Sequence, residues 1–313
     1  MKQPLLSVCI PTYNRSSYLR NTLDSIVNQD GFCEDVEIVI SDNASIDDTS
    51  YVMKEYTTKY SNIYYFRNKE NIRDQNFPTV LSEAHGLFRK LSNDSLLFND
   101  GTIRYLLDLI KKNLKEKPVF FFMNDGKSDN FYSNVSGFLH DVSFNITYIG
   151  ALSAWEDVCS KESLGNYGCD KNLWQVPFLL SYVNNSKKTV VNHKSLFTNQ
   201  QIEKKDISYG LYNVFYTNYL GFIKEAQNKN YISQDDLDWC EEDLLFNFFS
   251  KWILIQQTQS EKFKMNKSED LYSLINKTYS NKTYWKAFRK DFWKKKCIYN
   301  IKAFVKVIIK WRK

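Results

Sequence analysis

The 313-residue chain has few histidines, few glycines and prolines, and no paired cysteine motif. Its three histidines lie far apart, and its six cysteines, at 9, 33, 159, 169, 240 and 297, include no Cys-x-x-Cys. A zinc site and a disulfide framework are therefore both unexpected. With 10 Gly and 5 Pro there is no room for a long flexible linker, and an apolar share of 43% argues against disorder. No run of about 18 apolar residues occurs, so a spanning helix is not expected. The N-terminus enters a strand-like segment directly, without the pattern of a signal peptide, which gives an expectation of cytoplasmic residence.

A strong excess of one sign is confined to one end. Between Lys282 and Lys313 there are twelve Lys or Arg against a single acid, Asp291, so the net charge of +6 belongs to the C-terminus.

The first hundred or so residues alternate strand and helix signals. Leu6 to Ile10 reads as a buried strand, and Ser16 to Val27 as a helix with Leu19, Leu23 and Ile26 on one face. A strand at Val36–Ile40, a helix over 48–60 and a strand at Ile63–Phe66 follow. A helix near 75–88 leads to Lys90–Ser92, then a helix near 102–114 and a strand at Val119–Met123. Such alternation predicts right-handed crossovers and a mainly parallel α/β sheet. Further on, strands are expected at 146–152 and 189–192, a helix at 170–182, and helices only from Tyr216 onward. The expected division is 1–215, with a donor half 1–115 and an acceptor half 116–215, and a helical region 216–313.

Parallel sheets bind ligands beyond the carboxyl ends of their strands. The segments there are PTYNR (11–15), SDNASIDD (41–48), NKENIRDQN (68–76) and LSNDSLL (91–97). A nucleotide sugar needs a carboxylate for its base or ribose and another for a cation beside its diphosphate, since hard cations prefer oxygen. Asp42 and Asp94 follow two different strands and suit these tasks, although either would also cap a helix or shape a turn.

These segments, in this order and at these intervals, resemble the donor site of glycosyltransferase family 2 over roughly the first 115 residues. The resemblance implies a GT-A fold, Rossmann-like with a C-terminal helical extension, and an inverting sugar transfer. It also implies a nucleobase contact at Asp42, with Pro11, Thr12 and Tyr13 around base and ribose. A divalent metal, Mn or Mg, would meet Asp94. The family commonly has two or three aspartates where this chain has Asn93, Asp94 and Ser95, so metal affinity should be low; Asn93 still hydrogen-bonds ribose or water. Arg73 stands where the family often has Gly and either adds positive charge for the nucleotide or is a solvated surface side chain.

Inverting transfer needs a base for the acceptor hydroxyl. Asp170, after a Gly-containing turn and before an apolar-periodic helix, is the candidate, with a helix N-cap as its other reading; Asp157 and Glu156 are the reserve. Trp174 and Gln175 are candidates for the acceptor cleft. No Gln-x-x-Arg-Trp occurs, which argues against a processive synthase. The expected acceptor is a lipid-linked surface glycan of a bacterial cell. The basic C-terminus has Trp285, Phe288 and Phe292 among lysines, then Ile301, Phe304, Val305 and Ile308 opposite Lys302, Lys306 and Lys310. That pattern predicts peripheral attachment to the inner, anionic face of the membrane rather than nucleic-acid binding. The competing reading is a non-catalytic nucleotide-sugar-binding scaffold. A nucleotidyltransferase is disfavoured because PTYNRSS is no Gly-rich phosphate loop.

Overall fold

The computed structural model describes residues 2–202 and 205–311, with the backbone alone at 205 and 302–311. Ile301 is exposed; the side chains of Lys302, Phe304, Val305, Lys306, Ile308 and Lys310 lie outside the described set. The chain forms two compact units, one of Met1–Gln201 with Asn228–Ile232, the other of Ile202–Gln227 with Ser233–Lys313.

The first unit is built on strands β1 (Leu6–Thr12), β2 (Val36–Asp42), β3 (Ile63–Arg67), β4 (Phe88–Leu91), β5 (Leu96–Phe98), β6 (Val119–Phe122), β7 (Asn130–Tyr132), β8 (Ser153–Trp155), β9 (Thr189–Asn192) and β10 (Phe197–Asn199). Its helices are α1 (Ser16–Val27), α2 (Thr49–Lys59), α3 (Asn76–Ser82), α4 (Thr102–Asn113), α5 (Val135–Val142), α6 (Lys161–Leu164) and α7 (Gln175–Asn185). The main sheet has the order β3-β2-β1-β4-β8, parallel except for β8, and β6-β9-β7 form a further sheet. A single bridge between Phe121 and Leu152 links β6 to the β8 side. Every residue of β1 and β2 is buried, which is why both read as unbroken apolar, β-branched runs. Helix α1 covers them with Leu19, Leu23 and Ile26, and α4 with Ile103, Leu106 and Ile110.

Three expectations fail here. The helix expected over 75–88 stops at Ser82, and beyond it Gly86 lies so close to β1 that a Cβ there would be 2.4 Å from the Ser7 hydroxyl oxygen. This close approach brings the chain directly into β4, where the Gly86 amide donates to Ser7 Oγ at 2.7 Å. Residues 146–152, expected as a strand, instead run through two short 3-10 turns before β8. The helix expected from Asp170 begins at Gln175.

Lys90, in β4, is fully buried, and among the described residues it has no carboxylate partner. Its ammonium donates to the carbonyls of Leu91 and Gly150 and lies 5.3 and 5.0 Å from the ring centres of Phe122 and Phe197. Burial lowers its pKa to about 7. Between that value and the ordinary lysine value the unfolded chain holds the extra proton, so the burial penalty grows as pH falls. Relative to Lys90→Leu, wild type should therefore lose on the order of 4 kcal/mol of unfolding free energy between pH 10.5 and 7. Urea unfolding of both proteins across that range reads the difference, and a pH-independent gap would mean that Lys90 does not titrate there.

The second unit contains β11 (Lys205–Ile207) and β12 (Phe263–Met265), which pair in parallel, so the region after Tyr216 is not purely helical. Its helices are α8 (Leu220–Asn228), α9 (Gln234–Asp243), α10 (Ser250–Thr258), α11 (Leu271–Tyr279) and α12 (Trp285–Trp311). The α12 aromatics expected to face lipid do not: Trp285, Phe288 and Phe292 are buried, with Phe288 edge-on to Phe246 and Phe292 stacked on Tyr272. They close the core of this unit. Among the described residues, no helix is long and apolar enough to cross a membrane.

Candidate functional site

The parallel strands end in register, Thr12 beside Asp42 and Asp42 beside Arg67, so their following loops share one edge. The loop after β4 brings Asp94 to the end of β1. Thr12 Oγ1 donates to Asp94 Oδ2 at 3.0 Å, and the Arg15 guanidinium donates through Nη1 to Asp94 Oδ1 at 3.1 Å. Thr22 Oγ1 holds the Asp94 carbonyl at 2.9 Å. The Asp94 side chain is only 6% exposed, whereas that of Arg15 is 39% exposed. Burial pushes the Asp94 carboxyl above its ordinary value, while Arg15 and Thr12 pull it the other way. Tyr13 points outward at 45% exposure, and Asn93 is partly exposed.

Asp42 is completely buried. Its Oδ1 accepts the Ser45 amide at 2.9 Å, its Oδ2 accepts the Tyr65 hydroxyl at 2.8 Å, and Arg67 Nε stands 3.7 Å from Oδ2. The carboxylate shapes the turn and anchors a strand neighbour. Asn43 ties this turn to the next loop, donating to Asn71 Oδ1 at 2.8 Å and accepting the Ile72 amide at 2.8 Å. Arg73 follows at a left-handed φ of 51°, a conformation that costs a non-glycine residue and explains why Gly suits the position; its side chain is exposed.

Asp170 sits in a 3-10 turn, Cys169–Lys171, between left-handed Gly168 and Asn172. It is exposed, and among the described residues its carboxylate accepts no hydrogen bond. It does not cap α7, whose N-cap position is Trp174. The turn packs against Arg73–Gln75, which places it on the same edge as Asp42 and Asp94. Asp74, in that neighbouring turn, is half-buried, and desolvation raises its pKa to about 7. Burial, with the Asp74 and Asp170 charges nearby, lifts the Cys169 thiol to about 12.

Glu156 and Asp157 lie elsewhere. Because β8 runs antiparallel to β4, Trp155 is opposite Phe88, and these two acids emerge at the start of β4, the far edge from Asp94. Glu156 accepts Gln3 Nε2 there, and Lys117 lies 3.7 Å from Asp157. Trp174 and Gln175 are buried, the indole donating to the Leu164 carbonyl and the amide to that of Thr147, and Trp174 lines a cavity with Tyr167, Phe178 and Tyr182. His85 is in the loop before β4, 3.0 Å from Glu37 at the far edge; His193 is buried between Asp125 and Asp141.

A divalent cation takes about six or more oxygens and favours several carboxylates. Around Asp94 the protein offers one carboxylate, with both oxygens already accepting donors, one of them cationic. Asn93 and Ser95 on either side are neutral. This donor set does not fit a resident divalent ion. Among the described residues no group of three or more His, Cys, Asp or Glu could hold one.

Residues missed by sequence reasoning are Arg15, Tyr65, Arg67 and Asn43. Arg15 closes the PTYNR segment, and its position just after a strand was the available signal.

Residues 7–158 match the family described as Glycosyl transferase family 2. The abequosyltransferase RfbV of Salmonella typhimurium is 48% identical over 84 residues, 26% of this chain and 25% of that protein. A Campylobacter jejuni protein named GalNAc(5)-diNAcBac-PP-undecaprenol beta-1,3-glucosyltransferase is 28% identical over 238 residues, covering 72% of this chain and 74% of that protein. The match spans only about a quarter or less of the first curated relatives. In fold, the chain is similar to Staphylococcus aureus TarS 1–349 in complex with UDP-GlcNAc, at TM-score 0.57 and 17% identity, covering 82% of this chain and 77% of that one. It is also similar to the mannosyltransferase PcManGT of Pyrobaculum calidifontis in complex with GDP-Man and Mn2+, at TM-score 0.55 and 15% identity, covering 98% and 87%. The fold is GT-A, a mostly parallel sheet with flanking helices, followed by C-terminal helices.

Proposed function

We propose that this chain, whose residues 7–158 match the Glycosyl transferase family 2 model, moves one sugar from a nucleotide-diphosphate sugar to a hydroxyl of a growing glycan, inverting the anomeric carbon. The observation that supports it is the convergence of Tyr13, Arg15, Asp94, the Asn43–Arg73 loops and Asp170 on one sheet edge. In this reading Tyr13 and Asn93 touch the donor, while Pro11, Thr12 and Asp42 form the wall behind them and Arg73 stands at the rim. Residues 1–115 serve the donor and 116–215 the acceptor.

The acceptor oxygen attacks the anomeric carbon from the face opposite the diphosphate. A carbon–oxygen bond forms to the acceptor as the bond to the β-phosphate oxygen breaks. The hydroxyl proton passes to the Asp170 carboxylate, and the bonding electron pair leaves with the nucleoside diphosphate. Asp94, expected to carry a Mn or Mg ion, instead accepts Thr12 Oγ1 and Arg15 Nη1. The test is release of nucleoside diphosphate from a panel of UDP-, GDP-, CDP- and dTDP-sugars. Binding without release would favour the non-catalytic scaffold, and neither binding nor release would end the donor reading.

A lipid-linked acceptor is proposed on the name of the Campylobacter relative, and with it attachment to the inner face of the cell membrane. The surface available on α12 is Trp293, Ile298 and Ile301, exposed beside Lys290, Lys294 and Lys295. The full chain should sediment with anionic vesicles at low salt and be released at high salt, and Trp293→Ser with Lys294→Glu should weaken this several-fold. Equal recovery with neutral and anionic vesicles would count against the attachment. Deleting all of α12 is no clean test, because it removes core residues Trp285, Phe288 and Phe292.

A further inference from the structure

Arg15 and Asp94 form an ion pair at the end of β1, with the carboxylate inside and the guanidinium half outside. One of the five guanidinium N–H donors is committed to Asp94. The others are carried on a side chain that is anchored at one point and reaches solvent at the sheet edge. A fixed, planar fork of donors matches phosphate oxygens and cannot lose its charge at any working pH.

The ligand set points the same way. Asp94 is the one carboxylate of its segment, and its neighbours Asn93 and Ser95 are neutral, so the protein offers a divalent ion a single charged ligand. Both oxygens of that carboxylate already accept a donor, Arg15 on Oδ1 and Thr12 on Oδ2, and an ion there would stand beside the Arg15 charge.

We propose that Arg15, anchored by Asp94, is the cation that receives the donor's diphosphate, so that nucleotide binding by this chain needs no divalent ion. The inference rests on the donor reading given above and deepens it. Asp94 then acts through Arg15, fixing the guanidinium in place, and Thr12 fixes Asp94.

Calorimetry on the full chain tests this with UDP, GDP, CDP and dTDP, each in EDTA and in Mn2+. The nucleotide that binds should show dissociation constants within about threefold in the two buffers, and Arg15→Gln should weaken it at least about tenfold in EDTA. Because Arg15→Gln leaves Asp94 buried without its partner, melting temperature is followed in parallel. The double variant Arg15→Gln/Asp94→Asn, a neutral pair of similar shape, should show the same loss of affinity in a stable protein. Affinity that collapses about tenfold or more on chelation, with both variants binding like wild type, would overturn the proposal and leave the donor reading standing. Sub-millimolar binding of Mn2+ alone to wild type would also overturn it. If no nucleotide binds in either buffer, the donor reading falls and this inference with it.

Discussion

Asp170→Asn is expected to leave the melting temperature unchanged and to reduce the transfer rate by about 10²- to 10⁴-fold, the usual worth of a positioned general base. The first half follows from the surroundings of Asp170. The residue is exposed in a short 3-10 turn, no backbone amide depends on its carboxylate among the described residues, and it starts no helix. Surface substitutions of this kind stay within about 0.5 kcal/mol. The second half follows from chemistry, since an amide of the same size cannot take up the hydroxyl proton. Nucleotide affinity, measured separately, should not move. A variant that transfers at the wild-type rate would remove Asp170 from the mechanism. The next residue to test would be Asp74 rather than Glu156 or Asp157, which emerge at the opposite edge of the sheet. The pH profile tests that residue: with its pKa raised to about 7, Asp74 as base would make the rate fall below neutrality.

Asp42→Ala should lower stability by about 3 kcal/mol, because it removes the buried acceptor of the Ser45 amide and the Tyr65 hydroxyl together and leaves Arg67 without its charge partner. For unfolding of the first unit, Met1–Gln201 with Asn228–Ile232, that is a fall of roughly 6–12 °C in melting temperature. The expected weakening of nucleotide binding would then arise through the collapsed turn as much as through a lost contact. Asp42→Asn separates these causes. The amide oxygen still accepts the Ser45 N–H, and Tyr65 can rotate its hydroxyl to accept from the amide nitrogen, so stability should largely return. Nucleotide affinity that returns with it would make Asp42 a residue of the fold alone. Affinity that stays low would assign it a direct contact with the nucleobase.

The parts of the fold legible in the sequence were those where one local period decides. β1 and β2 were visible because strands buried on both faces are continuous apolar runs, and α1 because Leu19, Leu23 and Ile26 recur at helical spacing. The parts that were not legible depend on what a segment meets in space. Gly86 lets the chain pass close against Ser7 on its way into β4, and no local pattern announces Ser7. Glu156 and Asp157 resembled post-strand acids like Asp42 and Asp94, yet strand direction, which spacing does not carry, puts them at the other edge. The same distinction applies to the site. Asp42 and Asp94 could be located from their places after strands, but burial and partners, which determine what they can touch, come from Tyr65, Arg67, Thr12 and Arg15 in other segments.

The strand order also has a consequence in time. β1, β2 and β3 are neighbours in both sequence and space, so the sheet's first half needs only short loop closures. β4 must skip past β2 and β3 to join β1, and β8 and β9 join only after much longer stretches of chain. Longer closures cost more entropy and slow the contacts that require them. As the chain emerges from the ribosome, the Asp42–Asn43–Asn71 corner can therefore assemble early, whereas the Arg15–Asp94 pair forms only once β4 has docked. In pulse-labelled refolding, amides of β1 to β3 should gain protection from hydrogen exchange before those of β8 and β9.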